Sequence, residues 1–329
     1  MKKILITGGL GFLGSYSIEK WKKQGWQITI IDNLSTNVIE PDDQICDDCN
    51  IIIGNILDCS WESLKNYDLI LHLASPVGPA GILKHSGKMA DYILSDIYWA
   101  AEGARLNKCP LVFVSTSEIY GHRDKAVLLK EDDDKILRGS FSVRNEYSMA
   151  KLLCEIVLSN LSKVSNLKYH IIRPFNISGA RQLINGGFVL PTFVTQALGS
   201  NPITVFNSGE QVRAFTHVKD IIDGIYLVSE AEKDLYNQCW NIGNSSNTCP
   251  INELANIVKA KTSSESKIIH VDPKTIHGPL YEEAWDKIPD ATKASKLLGW
   301  QPAFSKEQIV DDVIKFYEKK NEKVLEKLE

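Results

Sequence analysis

Short, nearly unbroken apolar runs recur along the first half of the chain: Ile4-Leu5-Ile6, Ile28-Thr29-Ile30-Ile31, Ile51-Ile52-Ile53, Leu69-Ile70-Leu71 and Leu111-Val112-Phe113-Val114. Each has the length of a β-strand, and β-branched residues are frequent in them. Segments of helical length, notably residues 15–24 and 89–106, separate several of these runs. A strand open to water on one face alternates apolar with polar residues, so unbroken runs imply strands covered on both faces. The pattern therefore predicts a parallel sheet with helices on either side. A helix over about 146–161 follows, then a further strand over 169–175.

Beyond Pro174 the character changes. Gly, Asn and Pro become frequent, strands stand alone, and helices over 251–260 and 306–317 are isolated from one another. The expected organisation is a doubly wound α/β domain over 1–175 and a smaller C-terminal α/β lobe over 176–329 that carries the substrate. Part of 215–245 is expected to return to the first domain. Length agrees with two lobes, because single cores rarely grow past about 250–300 residues.

Charge changes the picture only by exclusion. The chain has 37 basic and 41 acidic residues, a net charge of −4. That balance offers no surface for nucleic acid or membrane. The first apolar run is too short for a signal-peptide core or a membrane span. Seven scattered cysteines, an odd number, point to free thiols in a reducing cytoplasm. Cys46-x-x-Cys49 lacks a second pair to complete a zinc site, so no metal is expected.

The first chemistry-bearing motif follows the first strand. Gly9-Leu10-Gly11-Phe12-Leu13-Gly14 lies between strand and predicted helix, where glycines permit a tight turn and close backbone approach to a pyrophosphate. Asp32 ends the second strand, 18 residues past Gly14. A carboxylate there accepts from an adenosine ribose and repels a 2′-phosphate, which favours NAD over NADP.

The second cluster is polar where the pattern is most apolar. Thr116-Ser117-Glu118 follows the strand Leu111-Val112-Phe113-Val114 directly. A surface turn would account for it, and so would a catalytic site at the carboxyl edge of the sheet. Tyr147 and Lys151 stand four apart, on one face of the predicted helix. A tyrosine is a poor base at neutral pH, and a neighbouring ammonium favours its phenolate. Together with the glycine motif, this pairing reads as proton-transfer chemistry beside a nicotinamide.

These residues carry a family resemblance. Gly8-x-x-Gly11-x-x-Gly14, Asp32-Asn33-Leu34, His72-Leu73-Ala74, Tyr147-x-x-x-Lys151, Arg173-Pro174-Phe175-Asn176 and residues 213–220 are similar, in order, to the motifs of the extended short-chain dehydrogenase/reductases. Within that group the chain resembles the NAD-dependent epimerases and dehydratases of nucleotide sugars. The resemblance implies a Rossmann fold, bound NAD, and chemistry that begins by oxidising the sugar at C4. It places Gly8, Gly11, Phe12, Leu13, Gly14, Asp32, Asn33, Asn55, Ile56, Leu73, Ala74, Tyr147 and Lys151 at the cofactor. It places Asn176, Arg181, Arg213 and Lys287 at the nucleotide diphosphate or sugar, and implies a homodimer built on the Tyr147 helix.

The polar triplet sorts the family members. Dehydratases resembling this chain carry Thr-Asp-Glu there, and simple epimerases lack the acidic residue. UDP-glucuronate decarboxylases are most similar, with Thr-Ser-Glu and a His-Leu-Ala-Ser-Pro stretch matching residues 72–76. The implied activity is conversion of UDP-glucuronate to UDP-xylose with internal recycling of NADH, through Thr116, Ser117, Glu118, Tyr147 and Lys151. A 4-epimerase of UDP-hexoses or UDP-uronates is the alternative, then a 4,6-dehydratase. A non-catalytic NAD-sensing protein is a remote one. Four departures stand out: Asn55 where relatives often have Asp, Ala180 in place of a proline, Lys287 in place of an arginine, and residues 143–146, which resemble dehydratases and epimerases at least as much as decarboxylases.

Overall fold

The computed structural model describes residues 1–123, 126–137, 139, 141–284 and 286–326, with side chains through 320. The apolar runs become β1 (Lys3–Thr7), β2 (Gln27–Asp32), β3 (Asn50–Ile53), β4 (Leu69–His72), β5 (Leu111–Val114) and β6 (Tyr169–Pro174). A seventh strand, β7 (Gln238–Ile242), joins from far along the chain. The sheet order is β7-β6-β5-β4-β1-β2-β3, and every pair is parallel. The order reverses between β1 and β4, the point at which such sheets leave a crevice for ligand.

Both faces are covered, as unbroken apolar strands require. On one face Ile4, Ile6, Ile30, Val112 and Ile172 pack with Ile18 and Trp21 of α1 (Phe12–Lys23). On the other, Leu5, Ile70, Phe113 and Ile171 pack with Ile93 and Ile97 of α2 (Met89–Asn107) and with Leu158 of α3 (Val143–Ser165). Helix α3 starts three residues before the expected position because Ser142 and Asn145 form a reciprocal capping box. From the same turn, Glu146 accepts from the backbone N–H groups of Gly87 and Met89 at 2.6 and 2.8 Å. A carboxylate there matches the positive end of α2 and ties the two helix starts together.

After β6 the chain leaves the sheet and comes back. Helix α4 (Val218–Ser229) packs beside α1, and β7 pairs with β6 in register from Gln238↔His170 to Ile242↔Pro174. Between and beyond these returns lies a separate apolar cluster holding Phe193, Val205, Leu254 and Val310. Its strands Ile203–Phe206 and Ile268–Val271 pair in parallel away from the main sheet.

One buried polar network fixes the carboxyl edge. Glu155 of α3 and Arg173 of β6 are each 5% exposed and pair at 2.6 Å. Ser115 donates to Glu155 at 2.6 Å, and Arg173 donates to the Tyr120 hydroxyl at 3.0 Å. Tyr120 in turn donates to Asn241 of β7 at 2.7 Å. The network thus grips both ends of the segment that holds Thr116-Ser117-Glu118. Replacing Arg173 with Met leaves a carboxylate buried without its cation, which costs about 3–5 kcal/mol. The expected outcome is a clear fall in the urea midpoint, whereas an unchanged midpoint would show that the pair does not hold this edge.

Candidate functional site

The loops after β1, β4 and β5 meet at the switch point. Gly8 has φ +69°, and a Cβ there would lie 2.9 Å from the Ala74 backbone nitrogen. The β1–α1 turn and the Leu73-Ala74 backbone are therefore in direct contact. A Cβ on Gly14 would come within 2.3 Å of the Gly8 carbonyl, so the helix packs onto the strand only through glycine. Gly11 is different: a Cβ there meets nothing closer than Gly8 O at 3.3 Å. Its open side lies at the start of α1, where no side chain caps the helix. Unpaired first-turn N–H groups at Phe12, Leu13 and Gly14 beside an open glycine make a cradle that fits a pyrophosphate.

Asp32 is buried and accepts from the backbone of Leu10 at 2.9 Å and Leu34 at 2.8 Å. A carboxylate has about four acceptor positions, so capacity remains for a ribose. Asn33 donates to Asn55 at 2.8 Å, which links the end of β2 beside Asp32 to the turn before Ile56. His72 closes β4, bonded to Thr7 at 2.8 Å and driven by burial to a pKa of about 3, so it is neutral.

The polar triplet caps a one-turn helix. Thr116 accepts from the backbone of Glu118 at 3.1 Å, and Thr116 and Ser117 are both buried. Tyr147 and Lys151, 6% and 3% exposed, come to the same edge from α3. The spacing argument expected Lys151 to lower Tyr147. Instead the Lys151 ammonium donates to the Val114 carbonyl at 3.0 Å. Burial raises Tyr147 strongly, the Glu118 charge adds to this, and Thr116 and Arg144 pull the other way. Burial also brings Lys151 down to about 8, against weaker opposition from Cys154 and Asp96. The helix spacing sets the shared face, while the head group turns to whatever acceptor it meets.

Glu118 sits between two cations. Its Oε1 accepts from Lys287, and its Oε2 is 3.1 Å from Nη1 of Arg144. Burial opposes ionisation, yet Lys287 and then Arg144 outweigh it and hold the carboxyl down at about 2. Lys287 thus stands in the cluster with the triplet, its side chain only 2% exposed. Arg213 lies beside Lys287 through a backbone bridge, and its side chain is engaged by Glu283 at 2.8 Å and Asp286 at 3.3 Å. Asn176 donates to the Ala214 carbonyl at 3.2 Å, next to Arg213 in sequence. Arg181 makes its contacts elsewhere, with Glu19 at 2.7 Å and over the Tyr16 ring at 4.2 Å, both on α1.

The residues that sequence reasoning passed over are Arg144, Glu155 and the acidic partners Glu283 and Asp286. Arg144 had a usable signal, since it lies three before Tyr147 and shares its helix face.

A free glutamate titrates near about 4.3, and folded Glu118 at about 2. A depressed carboxylate contributes stability that is complete above the unfolded value and is lost as pH falls through the folded one. The wild-type denaturation midpoint is expected to fall relative to Glu118→Gln between about pH 5 and about pH 2, and to run parallel to it above. Parallel curves throughout would contradict the paired state of Glu118.

UDP-N-acetyl-alpha-D-glucosaminuronate decarboxylase of Bacillus cytotoxicus is 29% identical, covering 96% of this chain and 98% of that protein. UDP-glucuronic acid decarboxylase 1 of Danio rerio is 30% identical, covering 98% of this chain and 74% of the relative. Among solved structures, the UDP-glucose 4-epimerase of Thermotoga maritima with UDP-glucose superposes with a TM-score of 0.84 at 25% identity, covering 97% of this chain and 99% of that one. The model of the NAD dependent epimerase/dehydratase family matches residues 4–243, and the chain belongs to that family.

Proposed function

We propose that this protein removes CO₂ from UDP-glucuronate to form UDP-xylose. The observation that carries the reading is Glu118, only 13% exposed near Tyr147 and held ionised by Lys287 and Arg144. Decarboxylases among the relatives, aligned over nearly the whole chain, support it.

Residues 1–175 hold the cofactor and residues 176–329 the nucleotide sugar, with part of 215–245 serving the first domain. Gly8, Gly11, Phe12, Leu13, Gly14, Asp32, Asn33, Asn55, Ile56, Leu73 and Ala74 would hold NAD, and Asn176, Arg213 and Lys287 would serve the substrate, Arg181 being engaged on α1 instead. NAD, when bound, would supply a reversible hydride acceptor for C4 of the sugar. Tyr147 accepts the proton of the C4 hydroxyl, and Lys151 supplies the positive charge that balances the phenolate. Oxidation at C4 makes the sugar a β-keto acid. The C5–C6 bond then breaks, CO₂ leaves with C6, and the bonding pair passes to the C4 oxygen as an enolate. Thr116 and Tyr147 stabilise that oxygen. Ser117 and Glu118 orient the sugar while C5 takes a proton. The same oxidation without C–C cleavage gives 4-epimerisation, the reading supported by the superposed UDP-glucose 4-epimerase.

We place the protein in the cytoplasm as a homodimer. No helix among the described residues is long and apolar enough to cross a membrane. Tyr98 on α2 and Leu153 and Ile156 on α3 leave 43–52% of their surface exposed, an apolar face that fits a second copy of the chain. Ile156→Lys is expected to shift sedimentation from dimer to monomer, and a monomeric wild type would remove the dimer.

Incubation of pure protein with UDP-glucuronate, followed by mass and NMR, tests the activity. A product lighter by one CO₂ supports decarboxylation, and unchanged mass with inverted C4 supports epimerisation. Tyr147→Phe is expected to lose about 10²–10⁴-fold in turnover while keeping its NAD. A variant with wild-type turnover would overturn the role of Tyr147.

A further inference from the structure

Cys46 and Cys49 take no part in the chemistry above, and both are free thiols. Among the described residues no three His, Cys, Asp or Glu side chains could hold a metal together, so the pair lacks the further ligands of a zinc site. The backbone instead brings the two cysteines to each other. Asp47 has φ −51° and ψ 136°, and Asp48 has φ +62°. The Cys49 N–H donates to the Cys46 carbonyl at 2.9 Å. These values describe a type II turn with a cysteine at each end. Such a turn holds its end Cα atoms within about 7 Å, and a disulfide spans about 4.4–6.8 Å. Burial raises the Cys46 thiol to about 11, and the neighbouring Cys49 adds to the rise.

The turn lies between an open cleft and the cofactor motif. The cleft, about 430 Å³, is lined by Glu19, Lys22 and Lys23 of α1 and by Asp43, Gln44 and Ile45 just before Cys46. Lys22 donates to the Ile45 carbonyl at 3.3 Å, and its ammonium opposes the burial that raises the Cys49 thiol. Cys49 is also the less buried of the two, so it meets an incoming reagent first. On the opposite side, Cys46 and Ile39 are buried in one cluster with Leu10. The N–H groups of Val38 and Ile39 donate to the Leu10 carbonyl at 2.8 and 3.4 Å. Leu10 lies within the glycine motif and donates to Asp32, so the cysteine loop and the NAD-binding turn are tied.

We propose that Cys46 and Cys49 form a dithiol–disulfide couple, oxidised by a small organic disulfide that enters this cleft, and that the closed disulfide clamps the loop onto the NAD-binding turn. The Cys49 thiolate attacks one sulfur of the small disulfide, whose S–S bond breaks. The expelled thiolate takes a proton from water. Cys46 releases its own proton to water and attacks the Cys49 sulfur, which expels the second small thiol. Two cysteine thiols are oxidised, and one small disulfide is reduced to two thiols. The turn already sets the ends at bonding range, so closure keeps the backbone in place. The cross-link removes loop openings that would release the Leu10 turn. Thiols raised by burial exchange slowly, which makes the couple respond to sustained oxidation rather than to a brief pulse. The effect on NAD rests on the cofactor site described above.

The test equilibrates NAD-loaded wild type, Cys46→Ser and Cys49→Ser with mixtures of glutathione and glutathione disulfide, then alkylates the remaining thiols and maps them by mass. In oxidised wild type, the peptide that contains both cysteines is expected to lose two hydrogens. Labelled NAD is expected to leave the oxidised form several-fold more slowly than the reduced form, and excess glutathione to reverse both changes. Cys46→Ser is expected to stop at a mixed disulfide on Cys49, with NAD release unchanged. Cys49→Ser is expected to take up little glutathione, because Cys46 is buried. Bonds to other cysteines, or a mixed disulfide alone in wild type, would overturn the couple. A Cys46–Cys49 bond with unchanged NAD release would overturn the clamp. If reduced wild type holds no NAD, the cofactor site itself falls, and the mass of the cross-linked peptide still decides the couple.

Discussion

The buried ion pair between Glu155 and Arg173 is the interaction on which the catalytic edge depends. A parallel sheet delivers its strand ends to one side but does not by itself hold the loops that follow. Here one carboxylate on α3 takes Ser115 at one end of the triplet, and one guanidinium on β6 takes Tyr120 at the other. Helix α3 also carries Tyr147 and Lys151, so the helix that brings these two side chains to the sheet edge also braces the loop facing them. Burying such a pair is a poor source of net stability. Its value lies in registering three elements from distant parts of the chain to one another.

A second level of organisation is electrostatic. Burial opposes the ionisation of Glu118, yet two cations outweigh it and keep the carboxylate charged. The neighbouring Tyr147 feels that charge as a penalty on its own ionisation. The acid and the phenol therefore have separate protonation states although both are desolvated. Such a divergence lets one small volume hold a fixed negative charge and a group that gains and loses a proton.

Much of this was legible in the residues, and the division between legible and hidden is physical. The glycines after β1, Asp32, and the pair Tyr147 and Lys151 act through local spacing, and local spacing survives into the fold. The unbroken apolar strands announced a sheet covered on both faces, and the two clusters flanking it bear that out. The direction of the Lys151 ammonium was hidden, because it depends on the Val114 carbonyl that β5 brings from 37 residues away. Arg213 held by Glu283 and Asp286 was hidden for the same reason. Lys287 read as a weak substitute for an arginine until its partner, 169 residues earlier, was in view.

The return of β7 to the sheet also bears on how such a protein can change over evolutionary time. The chain enters the second lobe, comes back to add α4 and the outermost strand, and leaves again. The two lobes are thus woven together rather than strung in sequence. A second lobe of different sequence cannot be exchanged at one junction without stripping the strand that covers β6 and exposing its hydrogen-bonding edge. Change that keeps the sheet closed in this architecture must therefore arise by substitution within its loops, with both lobes left in place.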